Sequence, residues 1–222
     1  MIPPTLTDLA REYIEKSIFK GELQPGDQIK EGKIAAALEI SRPPIREAFK
    51  LLEAEGLIVR RPRRGVFVAE TTHQDVWEIY TLKAELYTFS INLGFNQLTP
   101  EDISRMGAVM AEMENCVAAD QPDVFLYQEL NTRFHDVHMK AAGHQRLKQI
   151  IQMLHNQIRH FSFYNLSNKK YLQKSLAYHR QIFEAFQKGD LESAVKYSRE
   201  HVLVGLQKIN NVSADEQNRK IA

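Results

Sequence analysis

The sequence has little cysteine and no long hydrophobic run, and each of these absences excludes a class of protein. A single cysteine, Cys116, cannot form an intramolecular disulfide, which fits a reducing compartment. No segment approaches the roughly 18 consecutive apolar residues of a membrane-spanning helix. The first residues also lack the basic-then-apolar pattern of a secretory signal. These features predict a globular protein of the cytoplasm.

The net charge of +1 conceals an uneven distribution of charge along the chain. Residues 41–68 contain seven Lys or Arg against three acidic residues, whereas the rest of the chain is slightly acidic. Because proteins bind duplex nucleic acid largely through its phosphates, a basic stretch of this kind is a candidate contact surface. We therefore expect any nucleic-acid binding to reside in this segment.

The segment SRPPIREAFKLLEAEG at residues 41–56 predicts a helix that presents basic side chains from its first turns. Ser41 can cap the helix, the two prolines fit its first turn, and the apolar residues follow helical spacing. Arg42 and Arg46 are four residues apart on one face, and Lys50 lies one turn further. A helix with this face suits the major groove of DNA.

A hairpin with a cationic tip is expected directly after this helix. Residues 57–59 and 66–68 have strand-like composition, and the tip between them contains four arginines and a glycine. Two helices are predicted before it, at residues 5–20 and 31–38. Helix, turn, helix and hairpin in this order predict a winged helix-turn-helix. The predicted DNA-contacting residues are Ser41, Arg42, Pro43, Pro44, Arg46, Lys50, Arg63, Arg64 and Gly65.

The rest of the chain predicts an all-helical domain. We place the DNA-binding domain at residues 1–70, a linker at 71–75, a bundle of about six antiparallel helices at 76–212 and a polar tail at 213–222. One of the six helices is expected to span about 145–165. The fold class is therefore mostly α, with an N-terminal winged helix-turn-helix and a C-terminal helical bundle.

Histidines at helical spacing mark a candidate site in the bundle. Asn131 and His135 lie four residues apart on one predicted helix, while His179 and His201 flank a Gly-Asp turn on the last two. Antiparallel helices can bring these residues to one level, and three imidazoles with an oxygen donor suit a divalent transition metal. His138 shares the same face and is a rival ligand. Arg159 could meet an anionic ligand, although a surface position is an equal alternative.

The N-terminal part carries a recognisable family pattern. Residues 18–68 contain a G-x-L-x-P-G start, the segment SRPPIREA and the exit EGLIV into a hairpin with a tip glycine. This string resembles the DNA-binding domain of the GntR family of bacterial transcription regulators. The resemblance implies a homodimer on a palindromic operator, with Arg42 and Arg46 reading base edges and Gly65 letting the hairpin tip approach the minor groove.

The C-terminal part resembles the effector (FCD) domain of the FadR branch, in its shorter, six-helix VanR-type form. The resemblance implies that Asn131, His135, His179 and His201 hold a divalent metal, zinc or nickel, that helps to bind a small carboxylate. Two positions depart from the family pattern. Asn131 stands where relatives have an anionic Asp, and Lys83 stands where they usually have an arginine that clamps the ligand.

The sequence is thus interpreted as a metabolite-controlled transcription regulator rather than an enzyme. A metal-dependent hydrolase is one alternative, since three histidines with an open position can activate water. Against it, the sequence has no HExxH motif, and catalysis would leave the DNA-binding pattern unused. A winged-helix module that binds an acidic protein partner is the other alternative.

Overall fold

The computed structural model describes residues 3–206 and divides them into two compact units. The first contains the residues up to Thr72 together with His155–His160, and the second contains His73–Leu154 and the described residues from Phe161 onward. The predicted fold class is confirmed, since helices dominate and one small sheet accompanies them. The helices are α1 (Leu6–Phe19), α2 (Glu31–Leu38), α3 (Arg42–Ala54), α4 (His73–Gly94), α5 (Pro100–Ala118), α6 (Val124–Ala141), α7 (Gln145–Gln157), α8 (Arg159–Leu166), α9 (Lys169–Lys188) and α10 (Leu191–Val204).

The first unit is a winged helix-turn-helix. Thr5 and Asp8 form a reciprocal capping box that fixes the start of α1. The apolar faces of α1 and α3 supply a shared core, in which Ile14, Ile45 and Leu52 are all fully buried. Burial of one such side chain contributes about 1.5 to 3 kcal/mol relative to an exposed position. The core therefore fixes which face of α3 remains available to solvent.

A three-stranded antiparallel sheet completes this unit. Strands β2 (Ile58–Arg61) and β3 (Gly65–Val68) form the expected hairpin, called the wing below, with Arg60 opposite Val66. A two-residue strand, β1 (Gln28–Ile29), pairs with the other side of β3. The sequence did not predict this strand, because a two-residue strand depends on pairing with a distant segment and has no periodicity of its own.

The second unit is a helical bundle whose core is rich in methionine and aromatic residues. Met106 and Met113 of α5 pack with Tyr127 and Phe134 of α6, and all four are fully buried. Thr99 and Asp102 form a second capping box before α5. Cys116 belongs to the same core, as a small buried apolar residue would.

Two predicted boundaries differ from the structure. Helix α4 begins at His73, so residues 73–75 of the predicted linker are helical. The single helix predicted over 145–165 is two helices, α7 and α8, separated at Ile158. Neither glycine nor proline marks this break in the sequence, and Ile158 is itself buried with the first unit. The predicted polar tail at 213–222 lies outside the described residues.

Among residues 3–206, no helix combines the length and the apolar character that a membrane span requires.

Candidate functional site

The exposed face of α3 carries the predicted DNA-contacting arginines. Ser41 occupies the N-cap position, although its side chain makes no capping hydrogen bond, and the prolines at 43 and 44 lie in the first turn. Buried Ile45 and Phe49 anchor the opposite face. This anchoring leaves 67% of the Arg42 side chain and 61% of the Arg46 side chain exposed. Both guanidinium groups are therefore accessible to a partner.

A carboxylate from α2 holds both of these arginines. Arg46 Nε donates to Glu31 Oε2 over 3.0 Å, and Arg42 Nε lies 3.8 Å from Glu31 Oε1. This hydrogen bond raises the pKa of the Arg46 guanidinium, so it stays protonated. Because Arg has five N–H donors, the bond through Nε restricts the side chain while the terminal NH₂ groups can still engage a base. Sequence reasoning missed Glu31, which has no motif and acts only through the fold.

The wing tip is a tight turn between two arginines. Arg64 N–H donates to the carbonyl of Arg61, and Arg63 has a φ of +59° after a proline, which is the pattern of a type II turn. Gly65 follows with a φ of +108°, a conformation that favours glycine. Arg63 and Arg64 are exposed at the tip. Gln28 Nε2 donates to the Arg64 carbonyl over 2.8 Å and ties the tip to β1.

Two other basic side chains of this unit are paired with nearby acids. Lys50 lies 2.8 Å from Glu47 on the exposed side of α3, and Arg60 lies 3.5 Å from Glu53. Such exposed pairs are weak and exchange readily for phosphate contacts. The surface therefore presents exposed cations along α3 and around the wing, as the charge distribution predicted.

Three histidines of the helical unit converge into one cluster, called the histidine cluster below. His135 on α6, His179 on α9 and His201 on α10 each offer one ring nitrogen, and these nitrogens lie within 4.8 Å of one another. The ring centroids of His179 and His201 are 4.2 Å apart. His135 and His179 are almost fully buried. The structure thus brings together three side chains that are 22 to 66 positions apart in sequence.

Burial keeps these imidazoles neutral. It lowers the pKa of His179 to about 4, although the hydrogen bond to the Ser175 carbonyl acts in the opposite direction. Burial, together with repulsion from the other histidines and Lys83, holds the pKa of His135 well below its usual value, and the pKa of His201 is lowered similarly. A neutral imidazole has one nitrogen with a free lone pair, which is the form that binds metals.

The lone pair of His179 has a defined position. Its Nδ1 lies 2.8 Å from the carbonyl of Ser175, which can only accept, so Nδ1 carries the proton and Nε2 carries the lone pair. Asn131 Oδ1 lies 3.0 Å from this Nε2. Two acceptor atoms at this distance repel each other unless both bind the same cation. The alternative is that the Asn131 amide is rotated, so that its NH₂ group donates to His179 Nε2. Asn131 is thus placed beside the cluster, in either role.

Two further ring nitrogens of the cluster are buried without a hydrogen-bond partner, namely His135 Nε2 and His201 Nδ1. Leaving a buried polar atom unpaired costs about 1 to 3 kcal/mol, so such atoms commonly indicate a missing ligand. Imidazole nitrogens from three helices, with an amide oxygen close by, match the donor set that zinc or nickel accepts. The residues present therefore fit a divalent transition metal.

The other sequence-predicted residues fall into different places. Lys83 on α4 is buried, and its charge lowers the pKa of both His135 and His201, so it lies near the cluster. Burial lowers the pKa of Lys83 to about 8. Arg159, in contrast, belongs to the first unit, where it pairs with Glu15 over 3.1 Å and lies over the ring of Phe19. Arg159 therefore does not join the cluster residues.

His138, the rival ligand, is separate from the three converging nitrogens. It is fully buried one turn after His135, and its Nε2 lies 3.3 Å from His135 Nδ1. Its own Nδ1 lies 2.9 Å from Ser90 Oγ on α4. Burial lowers the pKa of His138 to about 3. His138 therefore contacts His135 but is not one of the three histidines whose ring nitrogens converge.

A winged helix-turn-helix that presents arginines, on one chain with a helical unit that contains buried imidazoles, defines a class: DNA-binding transcription regulators. Comparison with known proteins gives the family. Residues 6–68 match the bacterial regulatory proteins of the gntR family, and residues 78–203 match the FCD domain. The chain belongs to the GntR family of regulators, in the group that carries an FCD domain.

Individual relatives agree with this assignment. The chain is 29% identical over 190 residues to the uncharacterized HTH-type transcriptional regulator YdhC of Bacillus subtilis, covering 86% of this chain and 83% of the relative. It is 25% identical over 192 residues to the HTH-type transcriptional repressor RspR of Escherichia coli, covering 85% and 82%. It also matches the gluconate operon transcriptional repressor of Bacillus subtilis, with 30% identity over 60% of this chain and 54% of that protein. These relatives are regulators, and this chain is a transcription regulator rather than an enzyme.

Solved structures show the same fold. The E. coli protein McbR/YncC superposes with a TM-score of 0.77 at 18% identity, covering 95% of this chain and 100% of the other. A GntR regulator from Rhodococcus sp. RHA1 superposes with a TM-score of 0.73 at 23% identity, covering 92% and 97%. At these identities the likeness concerns the architecture alone.

Proposed function

We propose that this regulator binds a palindromic operator as a homodimer and responds to a small carboxylate held in the FCD domain beside a divalent metal. The observation that carries the proposal is the set of buried imidazole lone pairs next to a buried lysine. We further propose that it belongs to the FadR branch and acts in the cytoplasm, where the bacterial chromosome lies.

The DNA contacts are divided between two kinds of basic side chain. Arg42 and Arg46 are proposed to read guanine edges, because the planar guanidinium fork matches the O6 and N7 acceptors in the major groove. Lys50, Arg63 and Arg64 are proposed to contact phosphates, with Gly65 allowing the wing tip to come close to the backbone. The start of α3, with Ser41, Pro43 and Pro44, would lie along the sugar-phosphate backbone of the DNA.

Homodimer formation is supported by an exposed apolar stripe on α4. Leu82, Phe89 and Leu93 follow helical spacing on one side of this helix and are 40 to 50% exposed. Two-fold symmetry would give two recognition helices, and half-sites about one helical turn, roughly 34 Å, apart on the DNA. A palindromic operator is the expected counterpart of such a dimer.

The metal is proposed to be held by His135, His179 and His201, with Asn131 as an oxygen donor. When bound, it would supply a Lewis-acidic position for a ligand oxygen. Asn131 is neutral, so the site has one negative charge fewer than a site with Asp, and its affinity is expected to be correspondingly lower.

The effector is proposed to be a small organic acid. The ammonium group of Lys83 lies buried near neutral imidazoles, and the positive potential there would favour a bound carboxylate. The effector would act by binding two arrangements of the protein with different affinity, only one of which suits the operator.

Thermal unfolding with a panel of small organic acids, with and without a chelator, tests the effector proposal. A ligand that binds only the folded state at 100 times its Kd adds about 2.7 kcal/mol of stability, so its effect on the midpoint is readily measured. We expect at least one acid to raise the midpoint, the chelator to reduce the shift, and Lys83→Met to remove it. Lys170→Met, at an exposed position on α9, is the control. No shift with any acid, or an equal shift in Lys83→Met, would contradict the proposal.

Selection from random duplex DNA tests the operator proposal. The purified protein should enrich a two-fold-symmetric sequence, and the enriched duplex should bind two chains. Enrichment of an asymmetric site, or binding by one chain, would contradict the homodimer.

A further inference from the structure

A chain of hydrogen bonds runs from the backbone of α4 to the histidine cluster. Ser90 Oγ donates to the carbonyl of Tyr87 over 2.9 Å and lies 2.9 Å from His138 Nδ1. His138 Nε2 in turn lies 3.3 Å from His135 Nδ1. Ser90 and His138 are completely buried, so water does not compete for these bonds.

The direction of the other bonds in this chain follows from that of the Ser90 hydroxyl. The hydrogen bond from Ser90 Oγ to the Tyr87 carbonyl uses the single hydroxyl proton, so in this arrangement Ser90 Oγ accepts from His138. His138 Nδ1 therefore carries the one proton of a neutral ring, and its Nε2 must accept from His135 Nδ1. The proton of His135 is then on Nδ1, and the lone pair is on Nε2.

We infer that Ser90 and His138 are positioning residues, which fix His135 in the tautomer that directs the Nε2 lone pair away from His138 and leaves it available to a metal. This inference rests on the proposed metal site. It is consistent with His135 Nε2 being the buried ring nitrogen that has no partner in the protein. Hydrogen-bond partners of the other ring nitrogen commonly set the tautomer of a metal-binding histidine.

The surroundings of His138 favour this role over simple packing. Its ring lies against Tyr87 and is stacked at 6.1 Å on Phe186, so an apolar side chain would suit the same space. A buried imidazole is costly unless both its nitrogens are hydrogen-bonded. Both nitrogens of His138 are engaged, one by Ser90 and one by His135. A residue that only filled space would need neither contact.

The two buried members of the cluster reach the same tautomer by different means. His179 Nδ1 donates to a backbone carbonyl, that of Ser175, which no substitution can remove. His135 depends instead on two side chains, each of which can be replaced. His179 therefore serves as an internal control in an experiment on the tautomer of His135.

Nitrogen-15 NMR of histidine-labelled protein in chelator tests the tautomer directly, with no need for metal. We expect His135 and His179 both to carry the proton on Nδ1. In Ser90→Ala, the direction of the chain is no longer fixed, so His135 should show a mixture of tautomers while His179 stays unchanged. His135 protonated on Nε2 in the wild type would overturn the inference.

Competition between the protein and a zinc chelator tests the consequence for binding. His138→Leu removes the acceptor and should lower zinc affinity about 10- to 100-fold. His138→Gln keeps an acceptor oxygen near the position of Nε2 and should recover most of the loss. Val137→Ala, which changes the buried residue immediately before His138 on α6, should lower stability without lowering zinc affinity.

Equal zinc affinity in His138→Leu and wild type would overturn the inference. So would an equal loss in His138→Gln and His138→Leu, because it would indicate packing rather than hydrogen bonding. If the wild type bound no zinc, the metal proposal would fail, and the NMR spectrum in chelator would still decide the tautomer of His135 independently.

Discussion

The two units use nitrogen-rich side chains in opposite ways. In the winged unit, arginines are exposed, charged and directed by a carboxylate, with Glu31 contacting both Arg42 and Arg46. In the helical unit, imidazoles are buried and neutral, and His179 is directed by a backbone carbonyl. A partner such as DNA requires charge at the surface, whereas a metal requires lone pairs in a dry site. The comparison shows that burial decides which chemistry a basic side chain can perform.

The largest expected effect concerns pH, since burial lowers the pKa of two imidazoles of the helical unit far below the ordinary value. His138 and His179 have folded-state pKa values of about 3 and about 4, below the ordinary 6.5. Between these values the unfolded chain binds more protons, so stability is complete above about pH 6.5 and falls as the pH falls toward 4. At pH 5, each of these two histidines should cost about 2 kcal/mol.

Urea unfolding of the metal-free protein between pH 7.5 and pH 5 measures this loss. His138→Leu should reduce the pH dependence, whereas the exposed control His73→Ala should leave it unchanged. Stability that did not change between pH 7 and pH 5 would show that these histidines are not buried neutral groups.

The next effect separates the two classes of arginine in the winged unit. Arg46→Ala should lower discrimination at one operator base pair roughly 5- to 150-fold. Arg64→Ala should weaken binding to all sequences and reduce the slope of log affinity against log salt by about 1. Titration of labelled specific and random duplexes at several salt concentrations measures both. Identical profiles for the two variants would contradict the division between base and phosphate contacts.

Asn131→Asp tests whether this side chain supplies an oxygen to the metal proposed for the helical unit. An anionic oxygen next to a divalent metal adds an attraction that an amide lacks, so metal affinity should rise at least about tenfold. Isothermal titration with zinc measures the change. Thr132→Ser, at the next position of the same helix, should have no effect. Unchanged affinity in Asn131→Asp would mean that this side chain only donates to His179.

The smallest expected effect tests whether Glu31 directs the recognition arginines. Glu31→Gln removes a negative charge close to the DNA surface, so non-specific affinity should rise about two- to fivefold. Discrimination between bases should fall by a similar factor, because Arg46 loses its fixed direction. Glu39→Gln, at the other end of α2, removes the same charge as a control. A rise in affinity with no loss of discrimination would assign Glu31 a purely electrostatic role.

The fold was largely predictable because its signals are local. Capping residues, apolar spacing and the motif around Arg46 lie within a few positions of one another, and they predicted α1, α3 and the wing. The features that sequence reasoning missed are all non-local. Strand β1 exists only through pairing with β3, and the break at Ile158 lies in residues 155–160, which belong to the first unit although its other residues are more than eighty positions away.

In the candidate site, too, local signals were predictable from the sequence and non-local contacts were not. Helical spacing and the Gly-Asp turn were enough to select His135, His179 and His201, which the structure brings together. Spacing could not distinguish His135, a proposed metal ligand, from His138 on the same face. The two differ because His138 is hydrogen-bonded to Ser90, which lies on another helix. Nor could it place Arg159, whose partner Glu15 is distant in sequence.

Elemental analysis of purified protein after dialysis against metal-free buffer tests the central claim, that buried imidazole lone pairs hold a divalent metal. We expect about one zinc or nickel ion per chain in the wild type and in His73→Ala. We expect none in His179→Ala or His201→Ala, each checked by circular dichroism to be folded. A metal retained by both of these variants would contradict the proposed metal site.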